Sequence, residues 1–136
     1  MSFQVKEPIL IIGLGGAGSK LAMQAKDSLN SDCLIISNDQ KDIQSGIDSI
    51  KISTDSVINP SVQLIRGSAY KVADKIKSKI SNYSTVILMT NLAGKDGVAM
   101  APIVSGICKK NNKKLVSLAI MPSDLRRREF FHQELL

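Results

Sequence analysis

Residues 9–20 read Ile9-Leu10-Ile11-Ile12-Gly13-Leu14-Gly15-Gly16-Ala17-Gly18-Ser19-Lys20, an apolar run that breaks into a glycine cluster. From Pro8 to Ile12 the residues are β-rich and do not alternate with polar ones, which predicts a strand covered on both faces. Beyond the glycines, Leu21, Ala22, Ala25 and Leu29 recur at helical spacing. Strand, tight turn and helix thus follow one another. Gly13, Gly15 and Gly18 spell G-x-G-x-x-G in the context that motif requires, after a strand and opening a helix. Glycine there permits a tight turn and lets backbone N–H groups approach a phosphate, whose charge meets the positive end of the helix dipole. The plainer reading is that small residues only let strand and helix pack closely.

The same alternation continues to the end of the chain. Cys33–Ile36 reads as a second buried strand, closed by the turn formers Ser37, Asn38 and Asp39, and Ile50–Ile52 as a short third. Thr54 to Gly67 holds Asn59, Pro60 and Gly67 with weak periodicity, which predicts a long irregular loop. Val72, Ala73, Ile76 and Ile80 resume helical spacing, and Thr85–Thr90 is an apolar strand leading to a second glycine-containing turn at Ala93–Gly97. Ile103, Val104 and Ile107 mark the next helix, with Pro102 expected in its first turn, where a missing N–H costs little. Leu115–Ile120 is the last strand, Pro122 ends it, and Arg126–Leu136 has the composition of a final helix. Continuous apolar strands between amphipathic helices predict a doubly wound α/β domain, a mainly parallel sheet with helices on both faces.

Length and composition narrow the class. With 136 residues, 43% of them hydrophobic and 22% charged, the chain suits one domain and argues against both disorder and a second domain. Ile9–Ile12 and Val86–Met89 are far shorter than the roughly 20 residues of a membrane helix. The start of the chain lacks the features of a secretory signal, so a cytoplasmic setting is expected. Cys33 and Cys108 sit in apolar segments without CxxC spacing and read as buried free thiols. Residues 1–65 hold seven acidic and five basic residues, whereas 66–136 hold thirteen basic and five acidic. A nucleotide, a nucleic acid or an acidic protein surface would suit that second half. Phe3, Tyr70, Tyr83, Phe130 and Phe131 do not interleave with basic residues, which argues against nucleic acid. Lys75, Lys77, Lys79 and the Lys109–Lys114 group read as solvated helix faces and ends.

The first turn alone leaves several nucleotide binders open. It is not a Walker loop, because Ser19 and Lys20 stand in the wrong order and spacing. A dinucleotide-binding Rossmann domain would use Asp39, 21 residues beyond Gly18, on a ribose hydroxyl, with NAD as cofactor. An ATP-using adenylating enzyme opens similarly. A plain Rossmann half, however, leaves the second glycine turn and the following Met100-Ala101-Pro102 unexplained.

At that point the chain resembles the FtsZ/tubulin superfamily. That family has a glycine-rich turn after the first strand and an Asn/Thr/Asp turn after the second. It has a GGGTG[ST]G signature followed by Ala-Ala-Pro after the fourth, and a Pro…Glu…Arg turn after the fifth. The resemblance spans nearly all of the chain. It implies that Gly13, Gly15, Gly16, Ala17 and Gly18 cradle the α- and β-phosphates of GTP or GDP, and that Ser37, Asn38 and Asp39 lie near ribose and magnesium-bound phosphate. The signature falls on Ala93, Gly94, Lys95, Asp96, Gly97, Val98 and Ala99, where only Gly94 and Gly97 match. Asp96 and Val98 replace the two hydroxyl residues, so Asp96 would repel phosphate unless Lys95 or magnesium neutralises it. Pro122 matches after the fifth strand, Arg128 falls on the nucleotide-contacting arginine, and Arg126 replaces the glutamate. Lys20 stands where that family has asparagine.

In that family hydrolysis requires an acidic loop after a long central helix, acting on the nucleotide of the next filament subunit. The 136 residues contain neither that loop nor the second domain, so the resemblance implies binding without hydrolysis by this chain alone. His132, the only histidine, reads as a surface residue. Three functions follow from the sequence. One is a guanine-nucleotide-binding domain of a cytoskeletal, self-associating protein of the kind that serves cell division. The second is a relative with a decayed site that serves protein contacts, and the third is a Rossmann-type NAD or ATP binder. Arg126, Arg127 and Arg128 at a helix start oppose the helix dipole, which suits contact with an anion or acidic partner.

Overall fold

A computed structural model describes residues 7–54, 58–92 and 94–120. In chain order the elements are β1 (Ile9–Leu14), α1 (Gly15–Leu29), β2 (Asp32–Ser37), a 3-10 turn (Gln40–Asp42), β3 (Asp48–Lys51), α2 (Val62–Lys71), α3 (Ala73–Ile80), β4 (Thr85–Asn91), α4 (Lys95–Lys110) and β5 (Lys114–Ile120). All strand pairs are parallel, in the order β3-β2-β1-β4-β5. The chain winds outward from β1 to β3, crosses back to β4 and winds outward again. The order therefore reverses between β1 and β4, the position where a doubly wound sheet opens its ligand crevice.

Strand pleating divides the core. Leu10, Ile12, Leu34, Ile36, Val86 and Leu88 face α2, α3 and α4, where they meet Ile65, Ile76 and Ile103. Ile11, Ile35, Ile87 and Met89 point the other way, to the face that Ala22 of α1 packs against. The doubly wound α/β class expected from the sequence is the class observed. Cys33 and Cys108 are buried free thiols, and burial pushes Cys108 up to about 11.

Strand and helix meet with no intervening turn at Leu14-Gly15, which is tighter than the sequence predicts. Two glycines make this possible. A Cβ on Gly13 would stand 2.6 Å from the Gly18 carbonyl oxygen, and one on Gly18 would stand 2.5 Å from the Met89 carbonyl oxygen.

Two sequence expectations are corrected. The irregular loop predicted for residues 54–67 ends early, because α2 starts at Val62 and carries Gly67 in its interior. The Ser61 hydroxyl caps this helix, accepting from the Leu64 amide at 3.1 Å. Val62, Ile65 and Ala69 then form its apolar stripe. The loop signal of Asn59 and Pro60 was real, but Gly67 added a false one. Pro102 likewise does not lie in a first turn, since α4 begins at Lys95 and holds the proline inside the helix. The missing proline N–H would have bonded the Val98 carbonyl one turn back. Arg66 of α2 fills that place: its Nη2 donates to the Val98 oxygen at 3.0 Å and its Nε to the Ala99 oxygen at 3.3 Å. No helix among the described residues is long and apolar enough to cross a membrane.

If Arg66 substitutes for the missing proline donor, Arg66→Ala costs about 1 kcal/mol in denaturant unfolding. That cost shrinks in a Pro102→Ala background, where residue 102 supplies its own N–H; equal costs in both backgrounds would refute the assignment. Gly67 has open space where a Cβ would go, so Gly67→Ala stabilises by roughly 1 kcal/mol.

Candidate functional site

The site forms where β1 and β4 end side by side, with Gly13 in register with Met89. Each strand feeds a helix that starts almost at once. The N-terminal positions of α1 and α4, Leu14 and Gly94, supply no side-chain cap. Their first-turn N–H groups lie at the positive ends of two helix dipoles.

The two ends touch through Gly15 and Asp96. Gly15 has φ +71°, and a Cβ there would stand 2.9 Å from the Asp96 Cβ and 3.0 Å from its Oδ2. With its amide nitrogen turned toward Asp96, Asn38 donates to both carboxylate oxygens, at 3.0 and 3.1 Å. At the next residue a Cβ on Gly16 would stand 3.3 Å from Asp42 Oδ1. Asp42 is held by the buried Ser37 hydroxyl, which donates to its Oδ2 at 2.7 Å. The same Ser37 oxygen accepts from the Asp39 amide at 3.1 Å. Asp39 Oδ1 accepts from the Lys41 amide at 3.0 Å, and that bond lowers its pKa. Lys95 turns to the loop before α2, donating to Asn59 Oδ1 and, at 2.7 Å, to the Pro60 carbonyl. Burial, followed by the charges of Asp42 and Asp39, raises the Asp96 carboxyl, with Lys95 opposing.

These groups surround a cleft of about 460 Å³. Gly16, Asn38, Asp39, Lys95 and Asp96, all singled out in the sequence, line it. Gly15 lies beneath Asp96, and half-buried Ala17 occupies the first turn of α1. Gly94 caps α4 by backbone, its amide donating to the Asn91 carbonyl at 3.2 Å. Gly13 and Gly18 serve the strand–helix contact. Gly97 does the same for α4, since a Cβ there would come within 2.3 Å of both the Asn91 oxygen and Thr90 Oγ1. Arg128, with Arg126, Arg127 and the predicted final helix, lies outside the described residues.

Sequence reading missed Asp42 and named Asn59 only as part of an irregular loop. A carboxylate in a short polar turn looks solvated, and only its spacing from Ser37 hints at a partner. Among the described residues no group of three or more His, Cys, Asp or Glu is placed to hold a metal ion. A further cleft of about 310 Å³ lies at the opposite ends of the strands. Internal pairs occupy its polar groups: Tyr83 Oη donates to Asp32 at 2.6 Å and Lys79 pairs with Asp48 at 2.7 Å.

No family model and no curated protein matches the sequence. Solved structures do match the fold. An empty FtsZ dimer from M. jannaschii superposes with a TM-score of 0.75 at 23% identity, covering 87% of this chain and 37% of that one. TubZ of Clostridium botulinum phage c-st gives 0.70 at 20% identity, covering 87% and 41%. A protofilament of TubZ from bacteriophage PhiKZ gives 0.66 at 19% identity, covering 92% and 42%. The chain thus spans well under half the length of these structures, and the likeness shows the fold.

A carboxyl raised by burial is easier to accommodate protonated. Its cost to the folded state is absent below the ordinary value of 3.8, grows as pH rises from there toward the raised folded value, and is constant above it. Asp96→Asn is therefore expected to raise the unfolding temperature at pH 7.5, by an amount that shrinks as the pH is lowered to 4. A gain independent of pH would contradict the assignment.

Proposed function

We propose that this divergent FtsZ/tubulin-like domain binds a guanine nucleotide at the β1/β4 crevice, as the nucleotide-binding part of a self-associating, filament-forming protein. The observation that carries the reading is the convergence of two helix N-termini, neither capped by a side chain, on one cleft at the switch point. Its volume falls in the range of small-molecule sites. Backbone N–H groups at Gly15, Gly16 and Ala17 would meet the phosphates from α1, and those at Lys95 and Gly97 from α4. Asn38 and Asp39 would face the ribose and a magnesium ion brought in with the phosphates. Arg128 is retained as a nucleotide contact by resemblance to the family. The preference for guanine over the adenine of NAD or ATP rests on the same resemblance. Self-association is supported by the dimer and protofilament among the matching structures. Binding, without turnover by these residues, is the activity proposed.

One observation favours a second reading. Asp96 places a carboxylate against Gly15, where a phosphate would approach, as expected of a relative that keeps the fold for protein contacts alone.

Thermal unfolding with GTP, GDP, ATP and NAD, each with magnesium, separates the two. Guanine nucleotides are expected to raise stability selectively, by about 2.7 kcal/mol at a hundred times the Kd. A shift with NAD or ATP but not GTP would move the chain to a Rossmann-type reading. No shift and no calorimetric heat with any of the four would leave the interaction module.

A further inference from the structure

We propose that Asp96 is a built-in substitute for a phosphate, occupying the anion position where α1 and α4 begin, so that a nucleotide gains the site only when this charge is neutralised or moved aside. The inference rests on the nucleotide-binding reading and adds its regulation.

The first support is steric. Gly15 leaves its Cα open on the side that faces α4, and the Asp96 side chain fills that opening, with its Cβ and Oδ2 at 2.9 and 3.0 Å from where a Gly15 Cβ would be. The space that would let backbone approach a phosphate is taken by the chain's own carboxylate.

The second support is the way the carboxylate is held. Asp96 is the acidic residue in the first turn of α4, and its contact with Gly15 brings it to the uncapped start of α1. Asn38 grips both oxygens. Two helix dipoles and an amide are the donors expected for a bound phosphate.

The third support is the absence of an internal counter-charge. Among the described residues no salt bridge reaches Asp96. Lys95 is engaged by Asn59 and Pro60. The other charged groups facing Asp96 are Asp42 from the 3-10 turn and Asp39, which caps that turn; Lys41 pairs with Asp39 at 3.4 Å. The first turn of α1 contributes only glycine and alanine, and Lys20 further along is exposed. Burial and the two neighbouring acids favour the protonated form of Asp96, against the Asn38 amide and the helix ends, which favour the carboxylate.

The test uses the full chain, its Asp96→Asn and Asp96→Ser variants, and two probes by calorimetry: GDP and inorganic triphosphate, at pH 7.5 and 5.5. Thermal unfolding verifies that each variant is folded, and the wild-type pH series needs no variant at all. Both variants are expected to bind both probes at least tenfold more tightly than wild type at pH 7.5. Wild type should close part of that gap at pH 5.5, where Asp96 is more protonated; the variants correct for titration of the probes themselves. Equal affinity of wild type and variants for GDP overturns the inference and leaves the nucleotide reading standing. Tighter triphosphate binding by the variants with no GDP binding upholds Asp96 as the phosphate substitute but overturns the guanine-nucleotide reading, and with it the control of nucleotide entry. No binding of either probe to any protein at either pH overturns both.

Discussion

The fold depends on one close approach, that of Gly18 in α1 to the Met89 carbonyl of β4, where a Cβ would lie only 2.5 Å from the oxygen. Any side chain at residue 18 would lift α1 away from the seam between β1 and β4. Ala22, one turn on, is fully buried against that face with Ile11 and Met89, and it would lose its packing. Gly97 plays the matching part on the other face, holding the start of α4 against Thr90 and Asn91. One price is visible at Thr90, whose buried hydroxyl oxygen has no hydrogen-bond partner among the described residues.

The electrostatics follow from this packing. Two helices that begin within contact of one another, each without a cap from its N-cap side chain, bring two positive helix ends to one place. A positive region of this kind is stabilised by an anion, from outside or from within. Asp96 supplies one from within. Asp42 and Asp39 add negative charge around the same cleft, which opposes ionisation of Asp96. The cleft is therefore poised between backbone donors that attract an anion and carboxylates that repel a second one.

Much of the fold was legible in the sequence because buried parallel strands leave an unmistakable trace. Ile9–Ile12, Cys33–Ile36 and Val86–Met89 are apolar without alternation, and each lies inside an observed strand. Less legible were features whose meaning depends on a distant partner. Gly67 looks like a loop residue until Ser61 is seen to cap a helix ahead of it. Pro102 looks like a first-turn residue until Arg66, 36 positions earlier in the sequence, is seen to bond the carbonyl that the proline leaves free. Within the site, the glycine turn and the Asn38-Asp39 turn were readable from local spacing. The orientation of Lys95 toward Asn59 and the role of Asp42 were not, because both depend on how separate loops meet at the strand ends.

The glycine motif itself divides into two classes once the packing is known. Gly13, Gly18 and Gly97 are required by backbone contacts at 2.3 to 2.6 Å, whatever the cleft holds. A chain that had lost all affinity for phosphate would still need them. Gly15 and Gly16 have different neighbours, because the atoms nearest their missing Cβ positions belong to the side chains of Asp96 and Asp42, although the φ of +71° favours glycine at residue 15 whatever the cleft holds. Side chains of this kind can move or change protonation, whereas the Met89 and Asn91 carbonyls belong to β4, an interior strand of the sheet. G-x-G-x-x-G is thus strong evidence for close strand–helix packing and weaker evidence for a ligand. The functional information resides in Gly16 and in the charge that faces both it and Gly15, and in this chain that charge is negative.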